Sequence, residues 1–206
     1  MKIAIDIDDV VLATTEKIIS ILEDKYNILV NMDDINVYDI AESTGVDPKL
    51  IPIIVNEAIN SEYISPMVGA VATINWLGHY FEPIHFISNR YLYQPTLDQI
   101  QQLELDVEYK IHLCKEATNG IPDKAKLINE LGIDIIIEDK AETIVDIYNK
   151  TNATILIFNR PWNTSFEVDN IRTFRVKTWL IDIIYWFSAR IPQLLAVGMN
   201  CRLSFK

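Results

Sequence analysis

Short, unbroken apolar runs decide most of what this chain can fold into. Residues 2–7, 84–87, 133–137 and 154–158 are rich in Ile, Val and Phe, run continuously rather than alternating, and are bounded by polar or turn residues. A strand with one wet face alternates, whereas a strand covered by helices on both faces does not have to. Between these runs, residues 71–80, 124–131 and 143–150 carry apolar side chains at helical spacing. The resulting βαβα order favours an α/β fold with a doubly wound, mostly parallel sheet. A further strand is read near residues 106–113.

The stretch 14–66 interrupts that rhythm. It contains no good strand but has amphipathic segments at 15–26 and 48–59, with a weaker one at 33–40. We read residues 1–13 and 67–206 as the α/β core and 14–66 as a small helical cap inserted after the first strand. No repeat or flexible linker marks an independent second domain. Residues 179–187 form an apolar stretch broken by Asp182 and followed by Arg190 and Pro192. It is shorter than the roughly 18 residues of a membrane span. It reads either as a core helix or as the start of a docking segment, 180–206, for a membrane surface or a protein partner.

Composition narrows the setting. With 206 residues, half of them apolar, the chain can bury a sizeable core. Its two cysteines, Cys114 and Cys201, are far apart and form no CxxC pair, so neither a disulfide framework nor a zinc site is indicated. No secretory signal is read at the N-terminus, and the expected location is the cytoplasm. A net charge of -11 argues against binding a nucleic-acid polymer, which requires a basic surface. An anionic small molecule would need local positive charge.

Chemistry-bearing residues gather at the ends of the expected strands. Asp6-Ile7-Asp8-Asp9 ends the first, and strand periodicity would put Asp6 and Asp8 on one side. Crowded carboxylates invite a hard divalent cation, Mg²⁺ by preference, although such acids also cap loops and helices. Ser88-Asn89-Arg90 ends the second strand: a hydroxyl and adjacent N–H groups can hold phosphoryl oxygens, and an arginine can clamp them in two-pronged fashion. It is also an ordinary turn sequence. Lys124, with Lys126 close behind, opens a helix against its dipole, an awkward placement unless an anion faces it. Glu138-Asp139 closes a later strand with two more carboxylates.

In that order, these four features over residues 3–140 resemble the motif set of the haloacid dehalogenase superfamily. The stretches Ser65-Pro66-Met67-Val68-Gly69-Ala70 and Phe158-Asn159-Arg160-Pro161-Trp162-Asn163 look more narrowly like the 5'(3')-deoxyribonucleotidase family and its bacterial and viral relatives. The resemblance implies a Mg²⁺-dependent phosphatase. Asp6 would be the nucleophile that becomes an aspartyl phosphate, and Asp8 would protonate the leaving oxygen and then deprotonate water. Ser88, Asn89 and Lys124 would bind the phosphate. Mg²⁺ would be held by Asp6, the backbone carbonyl of Asp8 and Asp139, with Glu138 behind them through water. Asp9 stands where glycine is common, Glu138 where aspartate is, and Lys124 is preferred over Lys126 by its distance from Asp139.

The implied substrate is a nucleoside monophosphate or another small phosphate ester, selected by the cap, whose Tyr38 and Tyr63 can stack on a base or a phenyl ring. A phosphotyrosine or other phosphoprotein phosphatase is the alternative on the same chemistry. A catalytically silent ligand- or partner-binding module is a second alternative. Dehalogenation needs no metal, and phosphonate cleavage would need a lid lysine such as Lys17, Lys25 or Lys49. The Pro161-Trp162 corner is either a cap on the last strand or a substrate contact.

Overall fold

The apolar runs are strands buried on both faces, as a parallel sheet requires. The computed structural model describes residues 1–114, 123–167 and 171–191. Six strands, β1 (Ile3–Ile5), β2 (Ile84–Ser88), β3 (Tyr109–Leu113), β4 (Ile135–Glu138), β5 (Thr154–Phe158) and β6 (Thr173–Val176), form one sheet in the order β3-β2-β1-β4-β5-β6. Every pairing is parallel. Successive residues serve opposite cores: Ile3, Ile5, Ile137 and Leu156 face one, while Ala4, Ile136, Ile155 and Ile157 face the other.

Helices cover both faces. On the first lie α4 (Ala70–Phe81), α5 (Tyr93–Gln101) and α8 (Ile184–Arg190), contributing Ile74, Leu77, Ile100 and Phe187. On the second lie α6 (Lys124–Leu131) and α7 (Ala141–Lys150), contributing Ile128, Ile144 and Ile147. The sheet is therefore doubly wound. After β1 the chain builds outward through β2 and β3, then returns to place β4 on the other side of β1. That reversal opens a crevice at the carboxyl ends of β1 and β4, the position where open α/β sheets bind ligands.

Several boundaries differ from the sequence reading for local reasons. The run at 133–137 starts as a helix stop: Gly132 adopts φ 64° and Ile133 N–H donates to Ile128 O at 3.0 Å, so β4 begins at Ile135 and takes in Glu138. The weak segment at 33–40 resolves into a 3₁₀ turn (Met32–Asp34) and α2 (Ile40–Thr44). Helix α5 leaves little mark in the sequence because two of its buried positions are Thr96 and Gln99, which carry no apolar signal. Strand β6 was not read because it is a short edge strand containing Arg175.

Residues 14–66 hold α1 (Thr14–Tyr26), the 3₁₀ turn, α2 and α3 (Ile51–Ile59), and no strand. They share a separate apolar cluster built on Ile18, Leu22, Ile35, Ile54 and Ala58, into which Trp162 reaches from beyond β5. The C-terminal apolar stretch enters the main core. A π-helical turn (Trp179–Ile183) leads into α8, and Trp179, Ile183 and Phe187, four residues apart, are fully buried. Leu180, Ile181 and Tyr185 face outward. The core-helix reading therefore fits residues 179–187, while most of the 180–206 docking segment, with Cys201, lies outside the described residues. Among those described, no helix is long and apolar enough to cross a membrane.

Trp179 does more than fill space: its Nε1 donates to Val10 O at 2.8 Å, pinning the turn that follows Asp6. Replacing Trp179 with Ala should cost about 3–5 kcal/mol, measured by denaturant unfolding. A loss well under 1 kcal/mol would mean that this segment is only loosely attached.

Candidate active site

The four expected features meet at neighbouring strand ends: Asp6, Lys124 and Glu138-Asp139 share one crevice, and Arg90 reaches Asp8 beside it. Asp6 follows β1 directly and is held in line by its N–H donating to Ile137 O at 3.0 Å. Glu138 ends β4 and Asp139 follows it, so the three carboxylates straddle the reversal in strand order. Each offers an oxygen lying within 4.8 Å of the others, and all three residues are buried.

Lys124 ties two of them together. From the first position of α6 its Nζ donates to Asp6 Oδ1 at 2.8 Å and to Glu138 Oε2 at 2.6 Å. This resolves the oddity of a lysine at a helix start: two buried anions face it, and their attraction overcomes the burial that would otherwise lower its affinity for a proton, leaving the pKa raised. Lys126 is exposed and approaches Glu130 at 3.9 Å. Glu138 Oε1 accepts from the N–H groups of Asp139 and Lys140, both at 3.1 Å. Both oxygens of Glu138 are thus engaged by protein donors, which agrees with a place behind the ligands, although one of them lies within 4.8 Å of oxygens of Asp6 and Asp139.

The electrostatics of the cluster are unbalanced. Burial, then the charge of Glu138, pushes Asp6 up to about 8 despite Lys124. Burial, followed by Glu138 and Asp6, pushes Asp139 well above the carboxylate range, opposed by a hydrogen bond from Trp162 Nε1 at 2.8 Å. Three carboxylates share one ammonium. A buried group of carboxylate oxygens whose ionisation is opposed by crowding fits a hard divalent cation, and Asp6, Glu138 and Asp139 each have an oxygen close enough to the others to share one.

Asp8 has a different environment. Arg90 grips its carboxylate, with Nε 3.1 and 3.0 Å from Oδ1 and Oδ2 and Nη2 2.7 Å from Oδ1, while Thr14 Oγ1 donates to Oδ1 at 2.6 Å. Burial pushes Asp8 upward, but Arg90 and Thr14 together outweigh it and hold the pKa below its ordinary value. This corrects the expectation that Arg90 clamps phosphate: its guanidinium is committed to Asp8 and, through Nη1, to Gln99 Oε1 at 2.7 Å. Ser88 Oγ is buried beside this pair and accepts from Arg90 N at 3.1 Å, whereas Asn89 is exposed.

Asp9 is a helix cap. It accepts from Thr15 N at 2.8 Å and Thr15 Oγ1 at 2.7 Å, doing for α1 what Ala13 cannot. Its φ of 58° lies in the left-handed region, which explains why glycine suits the position. Burial raises Asp9 to about 7, opposed by Arg160 and Thr15.

Trp162 fits two roles from sequence alone, and Asn163 carries no sequence signal of its own. Asn163 Nδ2 donates to Asp139 O at 2.7 Å and to Phe158 O at 2.9 Å, so it and Trp162 fix the acidic turn from the 3₁₀ turn after β5. Trp162 also forms one wall of a cavity of about 330 Å³ beside Asp8 and Asp9, with Ile18, Tyr38, Ile40 and Val55 among the other lining residues. Tyr38 meets Trp162 edge-on, centroids 6.2 Å apart, while Tyr63 is absent from the lining.

No family model matches the chain, and no curated protein does. Solved structures do match. A haloacid dehalogenase-superfamily hydrolase of subfamily IA from Geobacter sulfurreducens is 13% identical, with TM-score 0.55, over 89% of this chain and 96% of that one. A hydrolase of the same superfamily from Ehrlichia chaffeensis is 12% identical, with TM-score 0.54, over 94% and 97%. A haloacid dehalogenase-like hydrolase from Xanthomonas campestris is 10% identical, with TM-score 0.51, over 97% and 98%. The fold is thus the one found in haloacid dehalogenase-superfamily hydrolases. None of the three is a deoxyribonucleotidase, and the narrower likeness to that family gains no support from them.

The raised carboxyls make stability depend on pH in a defined direction. Between 3.8, the ordinary value, and about 8 for Asp6 or about 7 for Asp9, the folded state holds protons that the unfolded chain has released. Stability therefore falls as pH rises through that window. Asp8 has the opposite sign but acts below 3.8. The melting temperature without divalent cation should fall from pH 5 to pH 8, and Mg²⁺ should raise it most at pH 8. A Mg²⁺ effect that is absent, or the same at both pH values, would contradict this account of the cluster.

Proposed function

We propose that the protein is a Mg²⁺-dependent phosphomonoester hydrolase with Asp6 as its nucleophile. The observation that carries this reading is the position of Asp6 at the mouth of the β1–β4 crevice, bonded to Lys124 and surrounded by acids that a divalent cation would neutralise. When bound, the cation would supply positive charge to the phosphate and keep Asp6 ionised. Asp6 Oδ would then attack phosphorus, breaking the bond to the alcohol oxygen and leaving an aspartyl phosphate, while the departing oxygen takes a proton from Asp8, or from water when it is a good leaving group. Water attacks that phosphorus in the second half, releasing inorganic phosphate and restoring the Asp6 carboxylate. Lys124 sits where its charge can oppose the repulsion between carboxylate and phosphate in a low-dielectric site. Ser88 Oγ, at the end of β2, would be the hydroxyl that meets a phosphoryl oxygen.

The clamp from Arg90 bears on what Asp8 can do. An ionised Asp8 suits the second half, in which a base takes a proton from the attacking water. Protonating the leaving alcohol in the first half would require Asp8 to exchange the grip of Arg90 for a proton. The reading therefore puts the main burden of Asp8 on breakdown of the aspartyl phosphate.

The cavity supports a small substrate. Its volume lies at the low end for ligand pockets, and helices α1, α2 and α3 wall it in, which disfavours a folded phosphoprotein. Among the described residues its lining is largely apolar, with acids at Asp8, Asp9 and Asp39, and the cations Lys140 and Arg160 are stacked on its Tyr38 and Trp162. A compact ester with one phosphate suits it better than a polyphosphate. A nucleoside monophosphate remains within this class, its base meeting Tyr38 and Trp162. Dehalogenation is disfavoured by the crowded acids, and a silent binding role by the presence of Asp6, Asp8 and Lys124 together.

The test is phosphate release from nucleoside monophosphates, sugar phosphates, aryl phosphates and phosphotyrosine peptides, with Mg²⁺ and with EDTA. Small monophosphates should be hydrolysed with Mg²⁺ only, and Asp6→Asn should retain its fold and lose turnover. Asp8→Asn should still release a good leaving group once per enzyme while phosphate release slows by about 10²- to 10⁴-fold. No release from folded, Mg²⁺-loaded protein, or turnover surviving in Asp6→Asn, would refute the reading.

A further inference from the structure

Gln99 is a buried amide on α5, 3% exposed, with both ends in use. Its Oε1 accepts from Arg90 Nη1 at 2.7 Å. Its Nε2 donates to Ile59 O at 3.0 Å and Ser61 O at 2.9 Å, with Ala58 O at 3.5 Å. The orientation of the amide is not arbitrary. A guanidinium can only donate and a carbonyl can only accept, so reversing the amide would oppose donor to donor and acceptor to acceptor.

An unbroken line of hydrogen bonds therefore runs from the Asp8 carboxylate through Arg90 and Gln99 to the main chain where α3 ends. Ala58 O already accepts from Ser61 N–H and Oγ at 3.1 and 2.7 Å, so the closer contacts of Gln99, to Ile59 O in the last turn of α3 and to Ser61 O just after it, are the ones that tie it to the helix end. Gln99 both closes that helix and anchors Arg90. Two neighbours dock the same surface: Gln102 Nε2 donates to Glu62 O at 2.6 Å and Tyr91 Oη to Asn56 Oδ1 at 2.6 Å. Packing alone would be met by an apolar residue at position 99. An amide satisfied at both ends instead transmits the position of one partner to the other.

We infer that Gln99 is a positioning residue for the proposed hydrolysis, setting Arg90, and through it the Asp8 carboxylate, by reference to the docked end of α3. Asp8 is aimed at the attacking water only while that contact holds. The inference rests on the reading of Asp8 as the base that serves breakdown of the aspartyl phosphate.

The experiment uses the full chain with Mg²⁺ and two variants. Gln99→Leu removes both halves of the link, while Gln99→Glu keeps an acceptor for Arg90 and removes the donor to α3. Melting curves establish folding, and either folded variant suffices. Rapid mixing with a series of aryl phosphates of graded leaving-group ability then reads the alcohol released in the first turnover and the steady-state kcat. The expected result is a burst of phenol equal to the enzyme, kcat lowered about 10- to 100-fold, and kcat no longer dependent on the leaving group, with KM for the first half little changed once the burst is accounted for. A merely structural defect would scale all substrates alike and give no burst. A folded variant with the wild-type profile, or one that loses rate without a burst, overturns the inference while wild-type turnover preserves the underlying reading. Wild-type protein without phosphatase turnover removes both.

Discussion

The buried bridge from Lys124 to Asp6 and Glu138 is the interaction on which the rest of the site depends. Burying one unpaired carboxylate is costly, and burying several side by side is more so. Lys124, 2% exposed, meets two of them at hydrogen-bond distance and leaves Asp139 with an indole N–H in place of a cation. The site is therefore short of positive charge by construction. Such a deficit has a function if the missing charge arrives with a cation and a substrate held beside it. Without them it is a source of instability that the fold has to carry.

The fold carries it through rigid neighbours. Asp6 and Glu138 lie at the ends of adjacent, fully buried strands, paired from Ile3 with Ile135 to Ile5 with Ile137, so neither carboxylate can move far. Trp179 holds the turn after Asp6 from one side, and Asn163 and Trp162 hold the turn at Asp139 from another. These contacts come from segments at least 20 residues away along the chain and converge on two short turns. Main-chain and side-chain anchoring of this kind preorganises charged groups before any ligand is present. The helical segment 14–66 adds a second layer by walling the adjoining cavity.

Much of this was legible in the sequence because its signals are local. Continuous Ile-rich runs mark strands buried on both faces, and acids immediately after two of them mark the crevice. Lys124 was readable as an anion partner because a lysine is out of place at a helix start. Long-range pairing left no such mark. Arg90 beside Ser88 looks like a phosphate clamp until folding brings Asp8, 82 residues away, under its guanidinium. Gln99 and Thr96 hid α5 because polar residues occupy its buried positions, and Gln99 is buried for its hydrogen bonds rather than its apolar surface. Trp162 gave an ambiguous signal because one indole serves both the helical segment and Asp139.

The most direct measurement of the central claim is to quench the protein in acid during turnover of an aryl phosphate with Mg²⁺, then map phosphorylated peptides by mass spectrometry. The account predicts an acid-stable, base-labile phosphoryl group on Asp6, absent when EDTA is present and chased by unlabelled substrate. Phosphate release with no modified peptide, or a phosphoryl group mapped to Asp8, Ser88 or any other residue, would contradict it.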